Sequence, residues 1–233
     1  MLVAIEGADG VGKHTAATGL RDALRAQGLT ACMLSFPRYQ DTVGGHVLGE
    51  FLAGRLPVPT SPEAAAVLYA LDRLESRKAL ADAAAAHEFI ILDRYIASNM
   101  VYQASKVAPE QSIEMMKWIW DLETETFGVR PPDVSIYLDT SLENARELML
   151  LKKQRSYTER THDEHEADLT LQRRVRRNYA ALAGDEHFGR WYVVHAETAA
   201  GLRKPNAIVD EILLLLTNHL GRSGDEISKR STA

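Results

Sequence analysis

A glycine-rich segment near the N-terminus constrains the fold of this chain more than any other feature. It reads Gly7-Ala8-Asp9-Gly10-Val11-Gly12-Lys13-His14-Thr15 and lies between the apolar run Leu2 to Ile5 and an amphipathic stretch. In a strand-loop-helix setting, the backbone N–H groups of such a loop surround phosphate oxygens, and the Lys adds a positive charge. We therefore expect all nine residues to bind a nucleoside triphosphate. The alternative is a loop that only turns a strand into a helix.

The loop departs from the usual pattern at one position. Ser or Thr normally follows the Lys, where its hydroxyl reaches Mg²⁺. Here His14 stands at that position, and Thr15 comes one residue later. An imidazole is a poor ligand for Mg²⁺, which prefers oxygen. We therefore expect Asp9, water and the phosphates to carry more of the metal coordination.

Length and composition fit one globular domain with a local anion site. We place that domain at 1–221, ahead of a polar tail at 222–233 that we expect to be disordered. A net charge of -5 opposes broad binding to nucleic acid. Cys32 is the only cysteine, which excludes an intrachain disulfide and fits a reducing cytoplasm. With neither a signal-peptide layout nor an apolar run of about 18 residues, we expect a cytoplasmic protein without a membrane partner.

Five short apolar runs predict the strands of a parallel sheet. They are nearly continuous in apolar residues, and helical periodicity fills the stretches between them. This pattern predicts a three-layer α/β fold of the P-loop NTPase type, with a five-stranded parallel sheet and helices on both faces. The runs are Leu2 to Glu6, Leu29 to Phe36, Phe89 to Asp93, Val134 to Asp139 and Trp191 to His195.

Helical periodicity and capping residues also predict the longer helices. The polar, cation-rich stretch from Lys152 to His162 has no apolar stripe, so we expect a mobile surface segment there. The predicted helices are Thr15 to Gln27, Pro62 to Ala86, Pro109 to Phe127, Ser141 to Leu151 and Asp163 to Gly184.

Charged residues follow three of the predicted strands. Asp9 comes after the first strand, Arg38 after the second, and Asp93-Arg94 ends the third. Ligands bind at the carboxyl ends of the strands in parallel sheets. We therefore expect these residues to converge on one crevice. The alternative for Asp93-Arg94 is a purely structural ion pair.

Three further motifs narrow the class of nucleotide-binding protein. They are Phe36-Pro37-Arg38-Tyr39, Leu71-Asp72-Arg73, and Asp93-Arg94-Tyr95 followed by Ser98, Asn99, Tyr102 and Gln103. Together with the basic segment, they make the chain similar to the thymidylate kinase family from Leu2 to about Leu220. The resemblance is greatest to the actinobacterial branch, whose loop also carries a basic residue between the Lys and the Thr.

The resemblance implies how the acceptor phosphate and sugar bind. Arg94 would hold the 5′-phosphate, because a planar guanidinium suits bidentate contact with that group. Arg38 would meet the same phosphate or the transferring one, and Tyr39 belongs to the same substrate-binding set. Tyr102 would crowd the sugar C2′ and so favour deoxyribose.

The resemblance also implies the base contacts. Tyr69 would stack on thymine, with Arg73 on its carbonyl edge and Phe36 packed against the same base. Ser98 and Asn99 would hydrogen-bond the base edges. From spacing alone, Tyr69 and Arg73 share a helix face, which a core aromatic residue beside a surface Arg would also do.

The basic segment is interpreted in two ways. Most charge runs are solvated surface. By resemblance it is a lid at about 152–163 whose Lys153, Arg155 and Arg160 close over the triphosphate, with the two arginines acting on the transferring group. Glu166, which follows this lid, would then join Asp9 in holding Mg²⁺ or the acceptor end of the site. Alternatively, it only caps a helix.

These features predict a kinase that transfers the γ-phosphoryl group of ATP to dTMP, giving dTDP and ADP. The resemblance also implies a homodimer, with the helix that carries Trp118, Ile119 and Trp120 as a candidate contact, although Trp at helical spacing is more often a core residue. Two alternatives remain: a kinase for another nucleotide or deoxynucleoside, and a regulatory switch that hydrolyses GTP. Against the switch, the chain lacks an Asn-Lys-x-Asp guanine signature.

Overall fold

Five parallel strands form the central sheet. The computed structural model describes residues 1–155 and 169–221, apart from the side chains of 149–155. The strand order is β2-β3-β1-β4-β5. The three inner strands carry apolar side chains on both faces of the sheet. Because helices cover both faces, these strands are almost wholly buried. The strands are β1 Leu2–Glu6, β2 Ala31–Ser35, β3 Phe89–Asp93, β4 Val134–Asp139 and β5 Trp191–His195.

The register brings the carboxyl ends of the inner strands to one edge. Ile5 is level with Asp93 of β3, and Glu6 is level with Tyr137 of β4. The helices that surround the sheet are α1 Lys13–Ala26, α2 Val43–Leu52, α3 Pro62–Glu75, α4 Arg77–Ala86, α5 Ile96–Ala104, α6 Ser112–Asp121, α7 Leu142–Arg155, α8 Leu169–Ala183 and α9 Pro205–His219. A small antiparallel pair, β6 Glu197–Thr198 with β7 Gly201–Leu202, precedes α9.

The predicted helix from Pro62 to Ala86 is wrong as a single element, because it breaks at Ser76 into α3 and α4. The Ser76 hydroxyl donates to the carbonyl oxygen of Asp72 at 2.8 Å. Serine competes with the helical backbone for hydrogen bonds in this way. The break matters for the site because it holds Asp72 and Arg73 in the last turn of α3.

The predicted helix from Pro109 to Phe127 consists of three pieces. A 3₁₀ turn at Pro109–Gln111 precedes α6, and a π-helical turn at Leu122–Thr126 follows it. The π turn turns Glu123 inward, where the residue is 0% exposed. Turns of this type are rare and often occur at functional sites.

The predicted end of the helix after β4 is also wrong, because α7 continues from Leu142 to Arg155. Its first turn is tied to Glu197, which accepts hydrogen bonds from Thr140, Ser141 and Asn144. Burial opposes ionisation of this carboxylate, but the donors outweigh it and lower the pKa of Glu197 to about 2.

The rest of the predicted lid, the residue Asp163 and the predicted tail lie outside the described residues.

Candidate active site

The glycine-rich loop has the backbone that its sequence predicts. Gly7, Gly10 and Gly12 have φ angles of +147°, +81° and +88°. A Cβ atom on Gly7 would lie 2.7 Å from the carbonyl oxygen of Leu138, so glycine alone fits there. Gly12 is the N-cap of α1. The loop therefore leads directly into a helix N-terminus, which favours an anion.

Lys13 is the buried cation of this loop. Its side chain is 6% exposed, and Nζ donates to the carbonyl oxygen of Ala8 at 2.5 Å. Burial and the nearby charge of Arg94 lower the pKa of Lys13 to about 7, although Asp9 opposes the shift. Because an anion favours the charged amine, phosphate binding and protonation of Lys13 are coupled.

Arg94 stands directly after β3 in a conformation that non-glycine residues rarely adopt, with φ of +65°. Its guanidinium forms an ion pair with Asp9 and donates to the hydroxyl of Ser98 at 3.2 Å. It also lies over the ring of Tyr102, 5.4 Å from the ring centroid. Backbone strain that the surroundings hold in place is typical of functional sites.

The structural alternative predicted an ion pair between Asp93 and Arg94, and these two residues do not pair with each other. Arg94 pairs with Asp9 from the loop, whereas Asp93 contacts Nδ1 of His14 at 3.0 Å. Burial opposes ionisation of Asp9, but Arg94 and Lys13 outweigh it and lower the pKa of that carboxyl to about 2. The sequence thus correctly predicts that Asp9 and Asp93-Arg94 converge, and Asp9 is ionised at neutral pH.

Sequence reasoning missed the role of Glu6, the fully buried last residue of β1. One carboxylate oxygen accepts the backbone N–H of Tyr95 at 2.7 Å. The other accepts the hydroxyls of Ser98 at 2.7 Å and Tyr179 at 2.9 Å. Glu6 therefore fixes Ser98 beside Arg94. An acidic residue inside an apolar strand, directly before the loop, was the available signal.

The residues predicted to read the base form a second buried group. Arg73 is 1% exposed and pairs with Glu123 through both Nε and Nη2. Asn99 donates from Nδ2 to Glu123 at 2.9 Å and to the carbonyl oxygen of Ala66 at 3.0 Å. The alternative of a surface Arg at position 73 is therefore wrong. The base contacts of Arg73 and Asn99 themselves stay predictions.

The aromatic residues predicted around the base differ in exposure. Phe36 is buried and lies against Tyr95, with ring centroids 5.4 Å apart. Tyr69 is half-buried on α3, whereas Tyr39 is 43% exposed. The stacking of Phe36 and Tyr69 on a base stays a prediction.

Arg38 is held at the junction of α3 and α4. Its guanidinium contacts Asp41 at 3.1 Å and donates to the hydroxyl of Ser76 at 3.4 Å. Its backbone N–H donates to the carboxylate of Asp72 at 3.2 Å. These contacts fix the segment that follows β2 against the end of α3. A phosphate contact for Arg38 stays a prediction.

The structure gives less detail on the predicted lid and metal ligands. Lys153 and Arg155 lie in the last turn of α7, where only the backbone is described. Arg160 and Glu166 lie outside the described residues. Within residues 1–155 and 169–221, no group of three or more His, Cys, Asp or Glu could hold a metal ion. Nor does any helix in that part of the chain have the length and apolarity to span a membrane.

Gln172 of α8 is a further residue that the sequence did not predict. Its Nε2 donates to the carboxylate of Asp9 at 3.2 Å, and its side chain is buried. The helix that follows the basic segment therefore contacts the glycine-rich loop directly. A movement of α8 would therefore change the hydrogen bonding of the Asp9 carboxylate.

The strand order and the loop define the class, a P-loop α/β protein that binds nucleotide phosphates at the carboxyl edge of its sheet. The thymidylate kinase family model matches residues 5–201. The chain belongs to the thymidylate kinase family.

Individual relatives agree with this assignment. The thymidylate kinase of Mycobacterium tuberculosis is 36% identical over 86% of this chain and 94% of its own length. A probable thymidylate kinase of Pyrococcus abyssi is 31% identical over 83% of this chain and 87% of its own. The structure of a thymidylate kinase from Candida albicans is similar with a TM-score of 0.68, over 94% of this chain and 91% of that one, at 21% identity. That likeness confirms the predicted fold.

Proposed function

We propose that this chain transfers the γ-phosphoryl group of ATP to the 5′-phosphate of dTMP, giving ADP and dTDP. Its membership of the thymidylate kinase family supports this reaction. The observation that carries the proposal is a pair of cations at one sheet edge. Lys13 lies in the loop, and Arg94 is held beyond β3 by Asp9 and Ser98. Two cation sites suit a donor phosphate and an acceptor phosphate.

The acceptor phosphate oxygen is itself the nucleophile, so the reaction needs no covalent enzyme intermediate. The protein holds two anions in line and screens their mutual repulsion. Lys13 binds the donor phosphates, and Arg94 binds the acceptor phosphate. Asp9 orients Arg94 through their ion pair. In this proposal Arg155 and Arg160 supply charge to the transferring group from the lid, with Lys153 on the triphosphate.

We place Mg²⁺ at Asp9, with Glu166 as the second carboxylate. Asp9 fits this role because it is ionised, lies in the loop and offers the oxygen ligands that Mg²⁺ prefers. When bound, the metal neutralises charge on the phosphate oxygens. His14 offers no hydroxyl, and its largely exposed imidazole contacts Asp93.

We also propose a cytoplasmic homodimer that forms through the exposed face of α6. Ile113 and Trp118, at the two edges of this face about 140° apart around the helix, are 41% and 40% exposed. By contrast, Ile119 is 0% exposed, and the half-buried Trp120 packs edge-on against Phe188 of the core with ring centroids 5.7 Å apart. Exposed large apolar side chains on one helix face are common in subunit contacts.

The proposed reaction is tested by following ATP consumption with and without dTMP, and by detecting dTDP directly. We expect ATP consumption to depend on dTMP and to be lost in a folded Lys13→Ala variant. ATP or GTP hydrolysis that ignores dTMP would instead identify a nucleotide switch. Phosphorylation of dUMP, dGMP or thymidine in preference to dTMP would identify a kinase for another acceptor.

A further inference from the structure

Glu123 is a buried carboxylate to which the proposed reaction assigns no part. It lies in the π-helical turn after α6 and is 0% exposed. Glu125, two residues later in the same turn, is exposed. A buried acidic residue is costly unless it is paired. Its partners are therefore the place to look for its role.

Those partners are the two polar residues predicted to read the base. One carboxylate oxygen of Glu123 accepts from Nε of Arg73, and the other accepts from Nη2. The second oxygen also accepts from Nδ2 of Asn99 at 2.9 Å. One side chain thus sets the orientation of both Arg73 and Asn99, from a position 50 and 24 residues away in the chain.

The contacts of Asn99 fix which way its amide points. Nδ2 faces the Glu123 carboxylate on one side and the carbonyl oxygen of Ala66 on the other. Both partners can only accept hydrogen bonds, so only the NH₂ group of the amide can face them. The amide oxygen Oδ1 must therefore point the opposite way. It presents an acceptor and never a donor.

This oxygen is buried and has no hydrogen-bond partner within the described part of the chain. A buried acceptor left in that state is costly, and a ligand N–H would relieve the cost. Thymine and uracil have a ring N–H beside a carbonyl group. The corresponding ring nitrogen of cytosine is an acceptor, which would oppose Oδ1 of Asn99.

We propose that Glu123 is a positioning residue that selects bases with an N–H beside a carbonyl group. It does so by holding the Asn99 amide with its oxygen toward the base, and by holding Arg73 so that the guanidinium donors outside their ion pair serve the carbonyl. This inference rests on the proposed function, in which Arg73 and Asn99 contact the base.

The experiment compares kcat/KM for dTMP, dUMP and 5-methyl-dCMP. The first and last differ only at the edge that Asn99 would contact, and dUMP keeps that edge without the methyl group. We expect wild-type protein to favour dTMP over 5-methyl-dCMP by more than about a hundredfold. Glu123→Gln can turn its own NH₂ group toward Asn99, so that the carbonyl oxygen of Ala66 alone still accepts from Nδ2 and holds the amide less firmly. This substitution should reduce the preference at least about tenfold, with KM for ATP almost unchanged.

Matched variants separate positioning from general damage. Glu125→Gln makes the same change in the same turn and should leave the preference unchanged. Asn99→Ala should lose most of the preference, and adding Glu123→Gln to it should change the preference less than Glu123→Gln does alone, because the part of its effect that acts through Asn99 is already lost. If Glu123→Gln does not fold, Glu123→Asp keeps the charge that neutralises Arg73 and should still weaken the preference.

The proposal is overturned if folded Glu123→Gln or Glu123→Asp keeps the wild-type preference, or if wild-type protein uses 5-methyl-dCMP as well as dTMP. It is also overturned if the effects of Asn99→Ala and Glu123→Gln simply add. These results leave the proposed phosphorylation of dTMP standing. Absence of phosphorylation of any acceptor by wild-type protein would overturn both.

Discussion

Binding of ATP at alkaline pH should carry a proton onto the protein, and Lys13 should be the group that takes it up. Burial and Arg94 lower the pKa of Lys13 to about 7, so at pH 8 only about one amine in ten is charged. A triphosphate beside the amine favours its charged form and raises its pKa toward the ordinary range. ATP binding at pH 8 should therefore take up about 0.9 proton per site.

The same coupling sets how ATP affinity depends on pH. The complex holds more protons than the free protein above a pH of about 7, so affinity falls as the pH rises through this range. Each unit well above the pKa lowers the association constant about tenfold, or ~1.4 kcal/mol. Between pH 7 and pH 9 the loss should be about fiftyfold.

Isothermal titration calorimetry measures this uptake directly. ATP is titrated at pH 8 in EDTA, in buffers that differ in ionisation enthalpy, and the slope of the binding enthalpy gives the proton number. EDTA removes divalent metal, so that the amine and the phosphates are tested alone. Lys13→Ala should abolish the uptake, whereas His14→Asn should retain it. Uptake below about 0.2 proton in wild-type protein, or an unchanged value in Lys13→Ala, would refute the reasoning.

Three further substitutions test other parts of the site. Arg94→Ala should raise KM for dTMP at least about tenfold more than KM for ATP, since it removes the acceptor cation; equal effects in steady-state kinetics would make it a structural pair. Arg155→Ala or Arg160→Ala should lower kcat with little change in nucleotide affinity, and a double variant with normal kcat would show that neither arginine acts on the transferring group. Glu197→Gln should lower the free energy of unfolding by about 1 kcal/mol at pH 7, the net contribution of one such hydrogen bond. Because the pKa of Glu197 is lowered to about 2, this stabilisation is lost as the pH falls from about 4.5 toward 2. Melting curves of both proteins should therefore converge in acid, and a constant difference would contradict the role of the charge.

The sequence predicted the parts of the fold that depend on local patterns. The apolar runs gave all five strands, with only β2 shorter than predicted, because burial on both faces leaves a continuous apolar signature. The glycine-rich loop was predictable for a similar reason, since phosphate binding needs those residue types at that spacing. The break at Ser76 was not predicted, because the Ala-rich sequence around it favours one continuous helix. At this residue the side-chain hydroxyl competes for a backbone carbonyl oxygen of the helix.

Long-range pairing explains most of what the sequence could not predict about the site. Asp9 and Arg94 are 85 residues apart, so spacing could not reveal that they pair with each other. Glu123 carries no motif at all, and only the fold brings it to Arg73 and Asn99. The left-handed backbone of Arg94 is likewise imposed by its surroundings, because nothing in its own residue type favours that conformation.

The contacts of Glu6 have a consequence for the order in which the chain can assemble. Its carboxylate lies at the sixth position, yet one of its hydrogen-bond donors, Tyr179, is 173 residues further along. β1 also lies between β3 and β4. The strand that precedes the glycine-rich loop therefore completes its backbone pairing only after both of these later strands have been made. During synthesis from the N-terminus, the first segment made is therefore among the last to be completed. A chain that ended before α8 would hold the loop sequence entire but would leave the Glu6 carboxylate without this donor.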